Sequence, residues 1–307
     1  MYETILVPLD GSRFSEYALP SAVGLARRHG ARLELATVAH PSPGSVGPPS
    51  PAGVVGDDTR EEARKQADAY LKRMKERVEA TGAAVDVTLS VLPMGNVANS
   101  LVRQAMASKA DLIVMTSHGR GPLQRAWLGS TADGIVRQAP CPVLLHRPEE
   151  DASVELTGDP TEYGHILVPL DGSEAAESPL IHLPNVVAQG GRVTLFRALP
   201  HHTAGVSPYI PHVVYEEWDR EKLRKQAREY LEEKAGPLRQ AGLDVQAEVV
   251  DHDQPALAII DRSEALDVDL VVMNTEGRGG VSRLVLGSVA DKVVRGIDTP
   301  VLLHRAK

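Results

Sequence analysis

The chain has 307 residues, 42% hydrophobic and 24% charged, enough for two domains that each bury a core. Its net charge of −8 excludes the broad basic footprint that nucleic acid or an anionic membrane surface requires. A single cysteine excludes an internal disulfide, and no run approaches the ~18 apolar residues of a membrane span.

The sequence opens on strand-like residues with no signal-peptide pattern, which predicts a cytoplasmic protein. ILVPL (5–9) is a short apolar run ending at Asp-Gly-Ser, the form of a buried parallel strand. A helix is expected from Ser12 or Ser15 to about His29, then a second strand, RLELATV (32–38). The proline-rich stretch 41–56 reads as a loop, and a long polar helix follows at about 60–80 with its charged face in solvent. VDVTLSV (85–91) alternates like a half-buried strand. A helix over Val97–Ser108 leads into the continuous apolar run DLIVM (111–115). After the segment TSHGRGPLQRAWLGS (116–130), a helix opens at Ser130 and PVLLH (142–146) is the last strand. Cys141, at the head of that run, reads as a small buried hydrophobe.

The same order then repeats. ILVPLDGS recurs at 166–173, RKQA before Tyr70-Leu71 recurs before Tyr230-Leu231, and CPVLLHR (141–147) returns as TPVLLHR (299–305). The offset is 161 residues at the start and 158 at the end, so the chain is a duplication with few insertions. In the second copy the expected elements are a helix from Ser173 to about Gln189, the strand RVTLFRA (192–198) and a loop around 201–212. A polar helix at about 216–240, the strand DVQAEVV (244–250), a helix from about Ala256 to Ala265 and DLVVM (269–273) complete the pattern. The domains are expected at 1–148 and 164–307, joined by an acidic linker at 149–163. Strand and helix alternate throughout, which specifies α/β domains with parallel sheets covered by helices on both faces.

In such sheets ligands bind beyond the carboxyl ends of strands where strand order reverses. Two segments are suited to that place, TSHGRGPLQRAWLGS and NTEGRGGVSRLVLGS (274–288), each with the spacing Gly-x9-Gly-Ser. Gly119 and Gly121 let backbone bend and approach a ligand, and Gly129-Ser130 opens a helix whose N–H groups suit phosphate. The chemistry alone leaves a second reading equally open. Ser130-Thr-Ala-Asp133 and Ser288-Val-Ala-Asp291 resemble capping boxes, and Gly119 and Gly277 then serve only as turn glycines. Asp10 and Asp171 are likewise either ligand contacts or Asx turns in LDGS. The chain has no Gly-Lys-Ser/Thr loop, no dinucleotide fingerprint, and no Ser-His-Asp or Cys-His spacing, so no catalytic residue is assigned. His201-His202 and Asp251-His252-Asp253 lack spaced partners for a metal site, and His146 and His304 read as satisfied or surface histidines.

The whole chain resembles a tandem universal stress protein. The resemblance rests on ILVPLDGS, on Gly-x9-Gly-Ser after the fourth strand, and on PVLLH, all in both copies. The family's nucleotide-binding branch carries Gly-x2-Gly-x9-Gly-Ser/Thr. Here Gly119 with Gly129, and Gly277 with Gly287, match its last two glycines, while Thr116 and Asn274 stand at the first. The resemblance implies two Rossmann-like domains of the adenine-nucleotide α-hydrolase type, each a five-stranded parallel sheet in the order 3-2-1-4-5.

It also implies a nucleotide site in each copy. One comprises Pro8, Asp10, Val38, Thr116, Gly119, Arg120, Gly129, Ser130 and Thr131. The other comprises Pro169, Asp171, Ala198, Asn274, Gly277, Arg278, Gly287, Ser288 and Val289. The implied ligand is ATP or ADP, with any Mg²⁺ nucleotide-bound and near Asp10 or Asp171. His118 in the first copy is Glu276 in the second, which predicts tighter ATP binding by the first. The last strands are expected to pair in a pseudo-twofold manner, with a homodimer as a further expectation and the protein partner unknown. The functional expectation is a stress-response regulator with little or no hydrolysis. The competing readings are a nucleotide-free interaction protein and a slow ATPase.

Overall fold

Apolar runs without alternation become strands buried on both faces, and the chain's central strands are of this kind. In the computed structural model, β1 (Thr4–Pro8) and the strand at Leu112–Thr116 are buried at every residue. The structure describes residues 1–40, 57–117, 128–147, 154–159, 161–200, 213–275 and 286–305, with backbone alone for 213–219. It divides into two units, Met1–Glu162 and Tyr163–Lys307.

In the first unit the strands are β1, β2 (Arg32–Val38), β3 (Val87–Leu92), β4 (Leu112–Thr116) and β5 (Val143–His146). All pair in parallel in the order β3-β2-β1-β4-β5. In the second unit β6 (Tyr163–Pro169), β7 (Val187–Leu199), β8 (Asp244–Asp251), β9 (Leu270–Asn274) and β10 (Val301–His304) run in the order β8-β7-β6-β9-β10. Both sheets therefore have the expected 3-2-1-4-5 order. With right-handed crossovers this order reverses direction between the third and fourth strands, so helices cover both faces. Ile5, Leu6, Leu33, Leu35, Leu112 and Ile113 form the first core at 0% exposure, as Ile166, Leu167, Leu195 and Leu270 do in the second.

The first-unit helices are α1 (Arg13–Glu16), α2 (Leu19–His29), α3 (Asp57–Glu79), α4 (Val97–Ser108) and α5 (Ser130–Gln138). The one helix expected from Ser12 to His29 is two, because Pro20 lies in the first turn of α2 and is suited to start a helix. α3 buries only a narrow stripe, Ala63, Leu71, Met74 and Val78, and keeps its charged faces in solvent as expected. The stretch before β6 packs on this unit. Arg27 donates to the Gly158 carbonyl at 2.5 Å, and Gly24 lies directly beneath Asp159 and Thr161.

The second unit has α6 (Glu174–Glu177), a 3₁₀ turn at Ser178–His182, α7 (Leu183–Val186), α8 (Val213–Gln240), α9 (Pro255–Ala265) and α10 (Ser288–Gly296). The helix expected to reach Gln189 ends at Val186 and is broken into short pieces. Pro179 and Pro184 each lack the amide that would continue the preceding turn. Val187 already pairs with Tyr163, and three extra residues bulge from β7 before His165 meets Arg192.

A buried polar contact differs between the units. In the first, Glu34 of β2 is 3% exposed and its Oε1 accepts from Ser90 Oγ of β3 at 2.6 Å and Gln104 Nε2 of α4 at 2.5 Å. Glu34 Oε2 is buried without a hydrogen-bond partner among the described residues. The helix caps Asn96 and Gln254 correspond, so Gln104 corresponds to Arg262, and strand register matches Ser90 to Glu248. There Arg262 holds Glu248 at 2.9 and 2.8 Å, and Thr194 takes the place of Glu34. The carboxylate has moved from the second strand to the third, with a cation supplied opposite it.

α5, which opens at the cleft, packs on α4. At Gly134 a Cβ would lie 2.7 Å from the Ala98 Cβ, which is fixed to backbone and cannot rotate away. Gly134→Ala gains about 1 kcal/mol of helix propensity but overpacks by about 1–3 kcal/mol. Urea unfolding is expected to show a net loss of about 1 kcal/mol, with a larger loss for Gly134→Val.

Candidate functional site

β1 lies between β2 and β4, so the reversal of strand order falls at the carboxyl ends of β1 and β4. The sheet brings Pro8 at the end of β1, Asp10 just beyond it, Val38 at the end of β2 and Thr116 at the end of β4 to this edge. Gly129, Ser130 and Thr131 begin α5. In the second unit Pro169 ends β6 and Asp171 follows it, Ala198 lies next to the end of β7, and Asn274 ends β9. Gly287, Ser288 and Val289 begin α10. Gly119, Arg120, Gly277 and Arg278, with His118 and Glu276, lie outside the described residues.

The two ends of each glycine segment are tied together. Ser117 donates its amide to the His146 carbonyl at 2.8 Å, and its own carbonyl accepts from the Gly129 amide at 2.9 Å. Thr275 repeats both bonds, to His304 at 2.8 Å and from Gly287 at 2.7 Å. The start of α5 is thereby fixed beside the end of β4, and the start of α10 beside the end of β9.

The capping-box reading is not what forms. The N-caps are Gly129 and Gly287, neither helix has a side-chain cap, and Ser130 and Ser288 are the first helical residues, exposed to solvent. Asp133 and Asp291 turn forward along the helix and hold Arg137 and Arg295 in two-point contacts of 2.8–2.9 Å. A helix that begins this way presents its first amides and its positive dipole end outward. An anion is the natural complement of that end.

At the strand ends the Asx turn does form. Asp10 Oδ1 accepts from the Ser12 amide at 2.9 Å and its hydroxyl at 2.5 Å, and Asp171 Oδ1 does the same with Ser173 at 2.9 and 2.6 Å. Gly11 and Gly172 take φ of 80° and 91°, the left-handed conformation this turn demands. Ser12 and Ser173 cap α1 and α6. One oxygen of each aspartate is thus committed to orienting the carboxylate.

Beneath each turn lies a contact that the sequence reading missed. Tyr70 of α3 donates to Glu16 Oε1 at 3.2 Å, and Tyr230 of α8 donates to Glu177 Oε1 at 2.9 Å. A cation holds the other oxygen, Arg77 at 2.5 Å in the first unit and Lys234 at 2.9 Å in the second. Burial, then the charge of the glutamate in the first and the hydrogen bond to it in the second, pushes both phenols well above their ordinary range, so they remain donors. The Tyr-Leu repeat and the spacing Ser12–Glu16 and Ser173–Glu177 were the available signals. Neither shows that residues 54 and 53 apart meet.

Other residues resolve simply. Asp251 pairs with Arg220 and Arg224, and His252 Nδ1 accepts from the Gln254 amide, so both belong to local structure. His201 and His202 lie outside the described residues. Cys141 is half-buried rather than buried, because β5 starts two residues later at Val143. His304 pairs with His182 at 2.8 Å. His146 is neither on the surface nor fully satisfied, being 6% exposed with no hydrogen-bond partner for Nε2 among the described residues.

The family model described as the universal stress protein family matches residues 1–147 and again 162–305. A Thermus aquaticus protein described as the universal stress protein in the QAH/OAS sulfhydrylase 3′ region is 34% identical over 147 residues, which is 48% of this chain and 100% of that protein. A universal stress protein of Mycolicibacterium smegmatis is 25% identical over 305 residues, covering 99% of this chain and 97% of its own length. The crystal structure of a universal stress protein from Archaeoglobus fulgidus DSM 4304 shares the fold with a TM-score of 0.65 at 17% identity, over 98% of this chain and 96% of that one. The fold and cleft define a tandem α/β protein of Rossmann-like type. The chain belongs to the universal stress protein family, with two family regions.

Burial lowers the His146 pKa to about 4, and burial followed by the charge of His304 lowers that of His182 to about 4. The unfolded chain therefore binds these protons first. Stability is complete above pH ~6.5 and falls as pH drops toward 4, by on the order of 3 kcal/mol for His146. Urea unfolding at pH 5 is expected to show about 2 kcal/mol of this loss relative to pH 7, and His146→Leu is expected to reduce it.

Proposed function

We propose that each unit binds an adenine nucleotide, ATP or ADP, in the cleft at the carboxyl ends of its first and fourth strands, and that occupancy regulates a stress response with little or no hydrolysis. The observation that carries this reading is the start of α5 and of α10. In two copies the chain begins a helix at glycine, leaves it without a side-chain cap, and sets an exposed serine first. A Ser, Thr, Asn or Asp cap in place of the glycine would add only about a few tenths of a kcal/mol. What both copies leave open is the acceptor for the first amides, and a phosphate completes it.

In this reading the amides of Ser130 and Thr131, or Ser288 and Val289, take the phosphates together with the glycine segments. Asp10 or Asp171 faces the ribose, and backbone near Val38 or Ala198 meets the adenine. Mg²⁺ fits only as an ion carried by the nucleotide. Each cleft supplies one strand-end carboxylate, and no cluster of three or more metal-binding side chains occurs among the described residues. Magnesium is ordinarily held by one or two carboxylates plus phosphates, which agrees with that donor set. Bound there, it would offset phosphate charge.

Ser130→Asp and Ser288→Asp separate the structural role from the binding role. An acid in the first turn favours the helix dipole by about 0.3–1 kcal/mol, so melting temperatures are expected to hold or rise. The same charge repels phosphate. Isothermal titration should give two ATP sites in the wild-type chain, one in either single variant and none in the double variant. Mass spectrometry of small molecules released on denaturing the unsupplemented protein should find ATP or ADP in wild type alone. Unchanged ATP stoichiometry in the double variant would overturn the phosphate assignment. No released nucleotide, with no effect of ATP and Mg²⁺ on melting, would leave the nucleotide-free interaction protein.

A further inference from the structure

One difference between the two clefts lies on the second strand and changes charge. β2 ends RLELATV and β7 carries RVTLFRA, so Thr37 of the first unit corresponds to Arg197 of the second. Thr37 is 5% exposed and neutral. Arg197 is half-buried and reaches over the strand-end turn. A Cβ built on Gly172 would lie 3.2 and 3.3 Å from its two terminal nitrogens and 3.4 Å from its guanidinium carbon. That carbon also lies 5.3 Å from the centre of the Tyr230 ring. The guanidinium is therefore seated between the Asp171-Gly172 turn and α8, at the mouth of the second cleft. In the first unit Arg13 directly follows the turn, Arg77 holds Glu16, and Arg73 lies 5.9 Å from the Tyr70 ring centre.

We infer that the second cleft selects an adenine nucleotide bearing a phosphate ester on its ribose, at the 2′ or 3′ position, and that Arg197 is the residue that selects it. This rests on the nucleotide reading above, in which Asp171 faces the ribose. A strand-end carboxylate alone suits ribose hydroxyls and repels a phosphate there. An arginine beside that position is what accommodates a ribose phosphate in dinucleotide-binding folds. The guanidinium presents five N–H donors in a planar fork that matches phosphate. Of the acids that follow the turn, Glu174 is exposed and Glu177 is engaged by Tyr230 and Lys234, while Asp171 Oδ1 is held by Ser173. Arg197 thus offsets the Asp171 charge. The first cleft has Thr37 in that place and takes the plain 5′-nucleotide.

The test compares isomers of equal phosphate number in the full chain with its first cleft disabled by Ser130→Asp. ADP, adenosine 2′,5′-bisphosphate and adenosine 3′,5′-bisphosphate are titrated calorimetrically into this chain and into its Arg197→Thr and Arg197→Lys versions. One of the two bisphosphates is expected to bind at least about tenfold more tightly than ADP, in line with charge-assisted hydrogen bonds. Arg197→Thr should bring that ratio to about one. Arg197→Lys should give an intermediate ratio, and it keeps the test decisive if the threonine variant misfolds. A chain that binds ADP as tightly as both bisphosphates overturns this inference alone. Equal ratios with arginine and threonine do the same. Binding of none of the three, with wild-type protein also refusing ATP, overturns the nucleotide reading as well.

Discussion

The amide of Gly129 donating to the carbonyl of Ser117 is the constraint on which the first cleft depends, and Gly287 with Thr275 repeats it. Each bond joins the two ends of a glycine segment and sets a helix start beside the end of a central strand. Because the strand end is itself bonded to the neighbouring last strand, through His146 or His304, the helix start inherits the rigidity of the sheet. An anion meeting α5 or α10 meets donors whose position is fixed before it arrives. Preorganisation of that kind lowers the cost of binding.

A second tie runs the other way, from the cleft to the surface. Tyr70 and Glu16 join α3 to the turn that carries Asp10, and Tyr230 and Glu177 join α8 to the turn that carries Asp171. The cation differs between copies, Arg77 against Lys234, while the phenol and carboxylate are kept. What duplication preserved is the neutral donor, and what it let vary is the counter-charge. α3 buries only a narrow stripe, so this contact is one of few that tell the helix where the cleft is.

Much of the fold was legible because it depends on local composition. ILVPL, DLIVM and DLVVM are buried on both faces and say so by having no alternation, and the helix openings at Ser130 and Ser288 follow from Gly-Ser. The misreadings have physical causes. Ser130-Thr-Ala-Asp133 has the letters of a capping box, but shifting the helix start by one residue makes Gly129 the cap and leaves Asp133 for Arg137. The helix expected from Ser173 to about Gln189 is shorter and broken because Pro179 and Pro184 each permit a fresh turn while forbidding a continuous one. Arg197 lies within the expected strand RVTLFRA, and only the sheet shows that it lies over Gly172. Contacts between residues far apart, such as Tyr70 with Glu16, are written nowhere in a single segment.

The exchanged carboxylate inside the two units carries a consequence for their history. Glu34 with Ser90 and Gln104 in one, and Glu248 with Arg262 in the other, where Thr194 meets His165 instead, are two self-consistent arrangements of matching positions. Moving β2 or α4 alone between copies breaks one of them: β2 of the first unit placed in the second sets Glu34 beside Glu248, and α4 of the first sets Gln104 where Arg262 held a charge. The block from β2 through α4 must travel together. An exchange of sequence between the halves that ends inside that block leaves a carboxylate or a cation without its partner, so each copy's block is coupled as one unit.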